Sequence, residues 1–163
     1  MKSGRSTVLS LVVAAAIPAA AAAYLASAGT NSLLAPALSA QEPQKTIWDG
    51  VFTEAQALRG EQKYYDNCGH CHLDNLRGGD EGEPPLIGTA FKFRFDQEHL
   101  SDVFQVISQS MPRNKPGSLD LQTYSDILAF ILYANRAPVG EKELVPDIEA
   151  LKQILFTEKP VVR

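Results

Sequence analysis

Asn67-Cys68-Gly69-His70-Cys71-His72, NCGHCH, holds both cysteines of the 163-residue chain and supports two overlapping readings. Its core, Cys68-Gly69-His70-Cys71, is a dithiol of the kind used in disulfide exchange. Cys68, Cys71 and His72 also spell C-x-x-C-H, the attachment signal for a c-type haem. A structural disulfide across two residues would close too small a loop to stabilise much, so the stretch points to chemistry rather than to bracing.

The flanking sequence separates the two readings. Thr53-Glu54-Ala55-Gln56 is a capping box, with Thr53 as N-cap and Gln56 reaching back, and no proline or β-branched residue interrupts the segment to Tyr65. Ala57, Gly60, Tyr64 and Cys68 share one helical face. The cysteines therefore close a helix. A thiol exchanger needs the opposite, a nucleophilic cysteine at the opening of a helix after a strand, where the helix N-terminus holds it as thiolate. Leu73 to Gly79 then reads as a loop, because of its glycine pair. Zinc is a further rival, since His70, His72 or His99 could join the cysteines, but the spacing is not that of a zinc finger.

Haem attachment makes a second demand. With His72 beneath the iron as a neutral imidazole, the other face takes a ligand or stays open. Besides the initiator, the chain has one methionine, Met111, thirty-nine residues after His72, in the proline-punctuated loop Ser110-Met111-Pro112-Arg113-Asn114-Lys115-Pro116-Gly117-Ser118. A lone methionine usually fills a core. On a loop between two amphipathic segments, axial ligation is the better account. The segments are Leu100, Val103, Phe104 and Ile107, and then Leu121, Tyr124, Leu128 and Ile131, widened by Ile127 and Phe130. Arg136 follows at the favourable end of the last helix dipole. Between Phe91 and Phe95, aromatics alternate with Lys92 and Arg94, the period of a short strand.

The first forty residues contain Lys2, Arg5, no acidic residue, and an apolar run from Val8 to about Ala28. They read as an export signal, with small residues suited to cleavage at Ala26-Ser27-Ala28 and at Leu38-Ser39-Ala40. Retention as a membrane anchor is the alternative, because a span takes about 20 apolar residues; the alanine content and Pro18 weigh against it. Beyond residue 40 the chain has 13 basic and 19 acidic side chains, a formal charge of −6. That disfavours nucleic acid as a partner. About 120 residues suffice for one compact domain.

From about Trp48 to Asn135 the chain resembles the class I c-type cytochromes, particularly single-haem domains that serve as soluble carriers or as subunits of periplasmic quinoprotein and sulfur-compound dehydrogenases. The resemblance is carried by Gly60-x-x-x-Tyr64, Cys68-x-x-Cys71-His72, Pro84-Pro85-Leu86-Ile87-Gly88, Met111-Pro112 and Tyr124-x-Asp126-Ile127-Leu128-Ala129-Phe130. It implies an all-α class I cytochrome c fold, three main helices plus loops around one covalent haem c. It also implies that Gly60 is the crossing point of the first and last helices, with Tyr64 and Phe130 packed around it. The carbonyl of Pro84, or of the adjacent Pro85, is implied to accept the N–H of the proximal imidazole. Relatives carry a tryptophan near Phe95 that donates to a haem propionate. Phenylalanine cannot, which leaves Arg94, Arg77 and Lys115 as candidates; His70 and His99 have no assigned role.

These readings divide the chain into a signal peptide (1–40), a cytochrome c domain (41–137) and a C-terminal extension (138–163) with a short helix begun by Asp147. The expected function is periplasmic one-electron transfer through the iron of one haem c. Cys68 and Cys71 attach the haem, while His72 and Met111 are the axial ligands. Partners are redox proteins: a dehydrogenase donor and an oxidase or carrier acceptor. A membrane is involved if the N-terminal segment is retained. In one alternative the chain is the electron-accepting subunit of a periplasmic dehydrogenase. In another it is a haem enzyme or gas sensor whose Met111 is absent from the iron or easily displaced.

Overall fold

The computed structural model describes residues 44–80 and 82–159, so the export signal expected in residues 1–40 lies outside the described residues. Helix α1 (Glu54–Asn67) begins where Thr53 Oγ1 accepts the Gln56 N–H at 3.1 Å. It buries Gln56, Ala57, Gly60 and Tyr64 on one face. The short α2 (Gly69–His72) follows directly, and Cys68 is the joint between the two. Then come α3 (Gly88–Phe95), α4 (Leu100–Ser110), α5 (Leu121–Ala134) and α6 (Ile148–Leu151). Two-residue strands β1 (Lys45–Thr46) and β2 (Ile154–Leu155) pair in parallel, Lys45 beside Ile154 and Thr46 beside Leu155.

Helices α1 and α5 form the centre. Gly60 lies so close to the Asp126 backbone that even an alanine methyl would overlap the Asp126 carbonyl. Only glycine permits that approach. Around it Tyr64 packs on Phe130, ring centroids 5.3 Å apart, with Leu128, Ile131 and Leu132 also buried. Each such side chain contributes about 2 kcal/mol by leaving water.

Beside the crossing, the Asp126 carboxylate is fully buried yet has four partners. Arg59 donates from Nε and Nη2 at 3.0 and 2.9 Å, Lys63 from Nζ at 2.7 Å, and Gln56 and Gln122 from their amides at 3.2 and 2.9 Å. Gln56 does not reach back to complete a capping box. Its side chain is buried and pairs with both backbone groups of Leu144, accepting from the N–H at 2.7 Å and donating to the carbonyl at 2.8 Å. A buried amide that satisfies a distant backbone segment outweighs a solvent-facing cap.

The aromatic alternation at 91–95 is helical, contrary to the strand period. Phe91 and Phe95, four residues apart, fall on one helical face and are buried, whereas Phe93 is 84% exposed. Their partner is Phe156, which sits 5.7 Å from Phe91 and 6.2 Å from Phe95. The last segment is fixed by backbone bonds from Gln97 N–H to Phe156 O and from Phe156 N–H to Glu98 O, both 2.8 Å, and by Trp48 Nε1–H donating to Thr157 O at 2.9 Å. Leu144, Leu151, Ile154 and Phe156 belong to the same core as α1 and α5. Asp147 starts α6 by accepting the Ala150 N–H.

Two further expectations need adjusting. Leu121, placed on the buried stripe of α5, is 56% exposed, because it occupies the first turn directly after the solvent-facing N-cap Asp120. Arg136 does more than follow the helix. It adopts a left-handed φ of 69°, and its N–H and that of Ala137 bond to Tyr133 O and Leu132 O, closing the C-terminus of α5.

Burial alone raises the pKa of Asp126, but the bonds from Arg59, Lys63, Gln122 and Gln56 outweigh it and bring the carboxyl down to about 2, from 3.8. A depressed carboxylate stabilises the fold above its unfolded pKa, and that contribution disappears as pH falls through the folded value. Melting of the wild type should therefore lose stability between pH 4 and 2 more steeply than melting of Asp126→Asn. At pH 7 the variant should be less stable by about 2 kcal/mol, under the range for a fully buried pair because Arg59 and Lys63 keep access to water. Parallel acid slopes in the two proteins would contradict this.

Candidate haem site

The turn that carries Cys68, Cys71 and His72 is built from α1 outward. Cys68 N–H continues the helix by bonding to Tyr64 O at 2.7 Å, and Cys71 and His72 N–H both return to Cys68 O, at 3.1 and 2.9 Å. All three reactive side chains thus lie on one turn. The loop beyond is drawn back onto it. Tyr64 donates its hydroxyl to Leu73 O at 2.7 Å, and Gly78 N–H bonds to His72 O at 3.1 Å. Gly78 has a φ of 80°, and a side chain there would overlap the Glu83 carbonyl. The chain on either side of Pro84 is therefore able to lie against the His72 turn, and Leu86 N–H locks it there by bonding to Leu76 O at 2.8 Å.

Of the two adjacent prolines, Pro84 supplies the contact, its carbonyl oxygen lying 2.9 Å from His72 Nδ1. A carbonyl only accepts, so Nδ1 carries the proton and Nε2 keeps its lone pair. Nε2 is therefore the nitrogen left able to ligate a metal, with the ring oriented by the bond at Nδ1. The ring is buried, 7% exposed, whereas His70 and His99 are exposed.

Both cysteines are free, Cys68 half-buried and Cys71 exposed. Burial, and secondarily the charge of Cys71, push the Cys68 thiol up to about 11. A disulfide-exchange nucleophile requires the reverse shift. Zinc would need a converging set of ligands, and among the described residues no three His, Cys, Asp or Glu side chains form one.

Met111 stands at the end of α4, half-buried, with its backbone occupied: its N–H bonds to Ile107 O at 3.2 Å, and its carbonyl accepts from Gly117 N–H at 3.2 Å and from the Tyr124 hydroxyl at 2.6 Å. The thioether is left as its available donor. Among the described residues no hydrogen bond joins this loop directly to the His72 turn. Both are tied to α5 instead. At the other end of α5, Asn135, 4% exposed, accepts from Gly88 N–H at 3.1 Å and donates to Leu86 O at 2.8 Å and Ile131 O at 2.9 Å. Asn135 thereby holds the segment that follows Pro84. Neither the Tyr124 hydroxyl nor the Asn135 amide has a role that the sequence assigns; Tyr124 reads as core, and a polar residue at a helix end has many ordinary uses.

These groups fit one haem c. Two thiols share a turn with an imidazole of fixed tautomer, a thioether is offered on a second loop, and Leu86, Ile87, Val106, Ile107 and Leu119 supply half-buried apolar surface next to the core. Arg77, Arg94 and Lys115 are exposed, and Arg94 stacks its guanidinium 5.5 Å over the Phe95 ring.

One comparison with known proteins, the family model, agrees with this chemistry. Residues 55–131 match the family model described as cytochrome c oxidase, cbb3-type, subunit III. Among curated proteins, none matches the chain significantly in sequence. Of solved structures, the sulfane dehydrogenase SoxCD from Paracoccus pantotrophus aligns with a TM-score of 0.48 at 25% identity, over 70% of this chain and 61% of that one. The present chain thus spans less than two thirds of that relative.

Replacing Asn135 with alanine should remove three bonds and leave Gly88 N–H and Leu86 O without their partner. Chemical denaturation should show a loss of about 2 kcal/mol; a loss under about 0.5 kcal/mol would mean that the amide does not hold the segment. The C-x-x-C-H turn and the imidazole held by Pro84 both lie within the residues that match the family model, and they make residues 55–131 similar to an all-α c-type cytochrome domain, a fold that carries one covalent haem c for electron transfer.

Proposed function

We propose that this protein is an exported, periplasmic one-electron carrier in which Cys68 and Cys71 hold the haem by thioether bonds and His72 Nε2 and Met111 Sδ take its two axial positions. The observation that carries this reading is the pairing of His72 Nδ1 with Pro84 O, which reserves the other ring nitrogen for a metal. When bound, the haem supplies a one-electron Fe(III)/Fe(II) couple. The chain's own residues do the rest. Pro84 orients the imidazole, the apolar shell from Leu86 to Leu119 excludes water, and a thioether donor favours the reduced state relative to a second imidazole.

With His72 and Met111 both placed to hold the iron, the haem would be left little room for substrate or gas, which favours carrying over catalysis. The charge of −6 beyond residue 40 suits brief, electrostatically guided encounters with redox proteins, a dehydrogenase on one side and an oxidase or second carrier on the other. The leader composition of residues 1–40 supports export. A second reading makes the chain an electron-passing subunit held in an oxidoreductase complex; it is favoured by the matching family model, whose description is that of an oxidase subunit. Purification at a fixed ratio with a larger enzyme would select it.

In protein matured by a host that attaches haem, the ferric spectrum should contain the thioether-to-iron charge-transfer band, and Met111→Ala should lose it. A variant spectrum identical to wild type would remove Met111 from the iron.

A further inference from the structure

The loop from Met111 to Leu119 has an uneven distribution of support. Residues 113 to 118 are all exposed and held by three local backbone bonds, Lys115 N–H to Pro112 O at 2.8 Å, Gly117 N–H to Met111 O at 3.2 Å and Ser118 N–H to Lys115 O at 3.3 Å. Its two ends meet on a single side chain. The Tyr124 hydroxyl donates to Met111 O at 2.6 Å and accepts from Leu119 N–H at 3.3 Å, so one oxygen closes the loop at both stems. Tyr124 is itself immobilised. It is 2% exposed, on the first turn of α5, where Asp120 caps the helix by accepting from the N–H and hydroxyl of Thr123 at 2.9 and 2.7 Å.

A loop whose tip is solvated and whose two stems share one buried hydroxyl opens by breaking those two bonds together with the bond from the exposed Gly117 N–H to Met111 O. We propose that Tyr124 is a positioning residue: its hydroxyl holds the Met111 loop shut and so sets how readily the thioether yields its place to a competing ligand. The proposal rests on the reading of Met111 as an axial ligand. Opening the loop and withdrawing the thioether are linked equilibria, so weakening the latch raises the apparent affinity of any ligand that needs the vacated position.

Phenylalanine at 124 keeps the ring and loses the oxygen. Met111 O retains Gly117 N–H as a donor, which limits the effect to about the value of one net hydrogen bond, a factor of about 3 to 10 in the opening equilibrium. The probe is imidazole titrated into the ferric holoprotein, followed by disappearance of the charge-transfer band. Tyr124→Phe should show the band in the absence of imidazole and lose it at concentrations lower by that factor. Ser125→Ala is the control. Ser125 is the adjacent buried hydroxyl on α5, bonded to Leu144 O at 2.5 Å and so to a different part of the chain. Its loss should lower stability to urea without moving the imidazole midpoint.

The outcomes separate the latch from the ligand assignment. If Met111→Ala lacks the band but Tyr124→Phe titrates like wild type, Met111 is a ligand and the latch is wrong. The latch is equally wrong if Ser125→Ala moves the midpoint as far as Tyr124→Phe, since general loosening would then suffice. A band that persists in Met111→Ala overturns the ligand reading and the latch with it.

Discussion

The contact on which the rest depends is the approach of α1 to α5 at Gly60. With no Cβ there, the first helix lies against the Asp126 backbone of the last, and the buried carboxylate beside the crossing is satisfied by Arg59, Lys63, Gln56 and Gln122. The crossing fixes where the C-terminal end of α1 emerges. That end is the turn of Cys68, Cys71 and His72, so the position of the reactive turn is decided about two helical turns earlier.

Helix α5 then acts as a common ruler. Tyr124 on its first turn holds the Met111 loop, and Asn135 at its end holds the segment that brings Pro84 to His72. The two attachment points are eleven residues apart, about 16 Å along the axis. Regular helix is stiff over that length, so each loop is referenced to the same rigid element although no hydrogen bond joins them among the described residues. The tail reinforces this arrangement from behind. Leu144 is pinned to Gln56 and Ser125, and Phe156 closes the face of α3 formed by Phe91 and Phe95.

Local features are legible in the sequence where one side chain determines one backbone event. Thr53 begins α1, the 3–4 spacing of Leu100, Val103 and Phe104 gives a buried face, and Cys68, Cys71 and His72 fall on one turn because of their spacing alone. The need for glycine at 60 comes from the family resemblance and acquires its physical cause from the Asp126 carbonyl. Legibility fails where the partner is remote. Gln56 has the spacing of half a capping box, yet it binds Leu144, eighty-eight residues away. The alternation at 91–95 suggests a strand because three aromatics on a two-residue period satisfy that template. A helix needs only Phe91 and Phe95 inward, and the tail provides Phe156 to cover them. The apolar stripe of α5 accounts for the ring of Tyr124, while its hydroxyl has a separate task that no periodicity encodes.

The central claim is covalent: one porphyrin joined to the sulfurs of Cys68 and Cys71. The most direct measurement is the intact mass of the denatured polypeptide after maturation in a periplasm that attaches haem. The mass should equal that of the processed chain plus one haem, with no thiol left to titrate, and the addition should vanish when both cysteines are replaced by alanine. An unmodified mass with two titratable thiols would contradict the account.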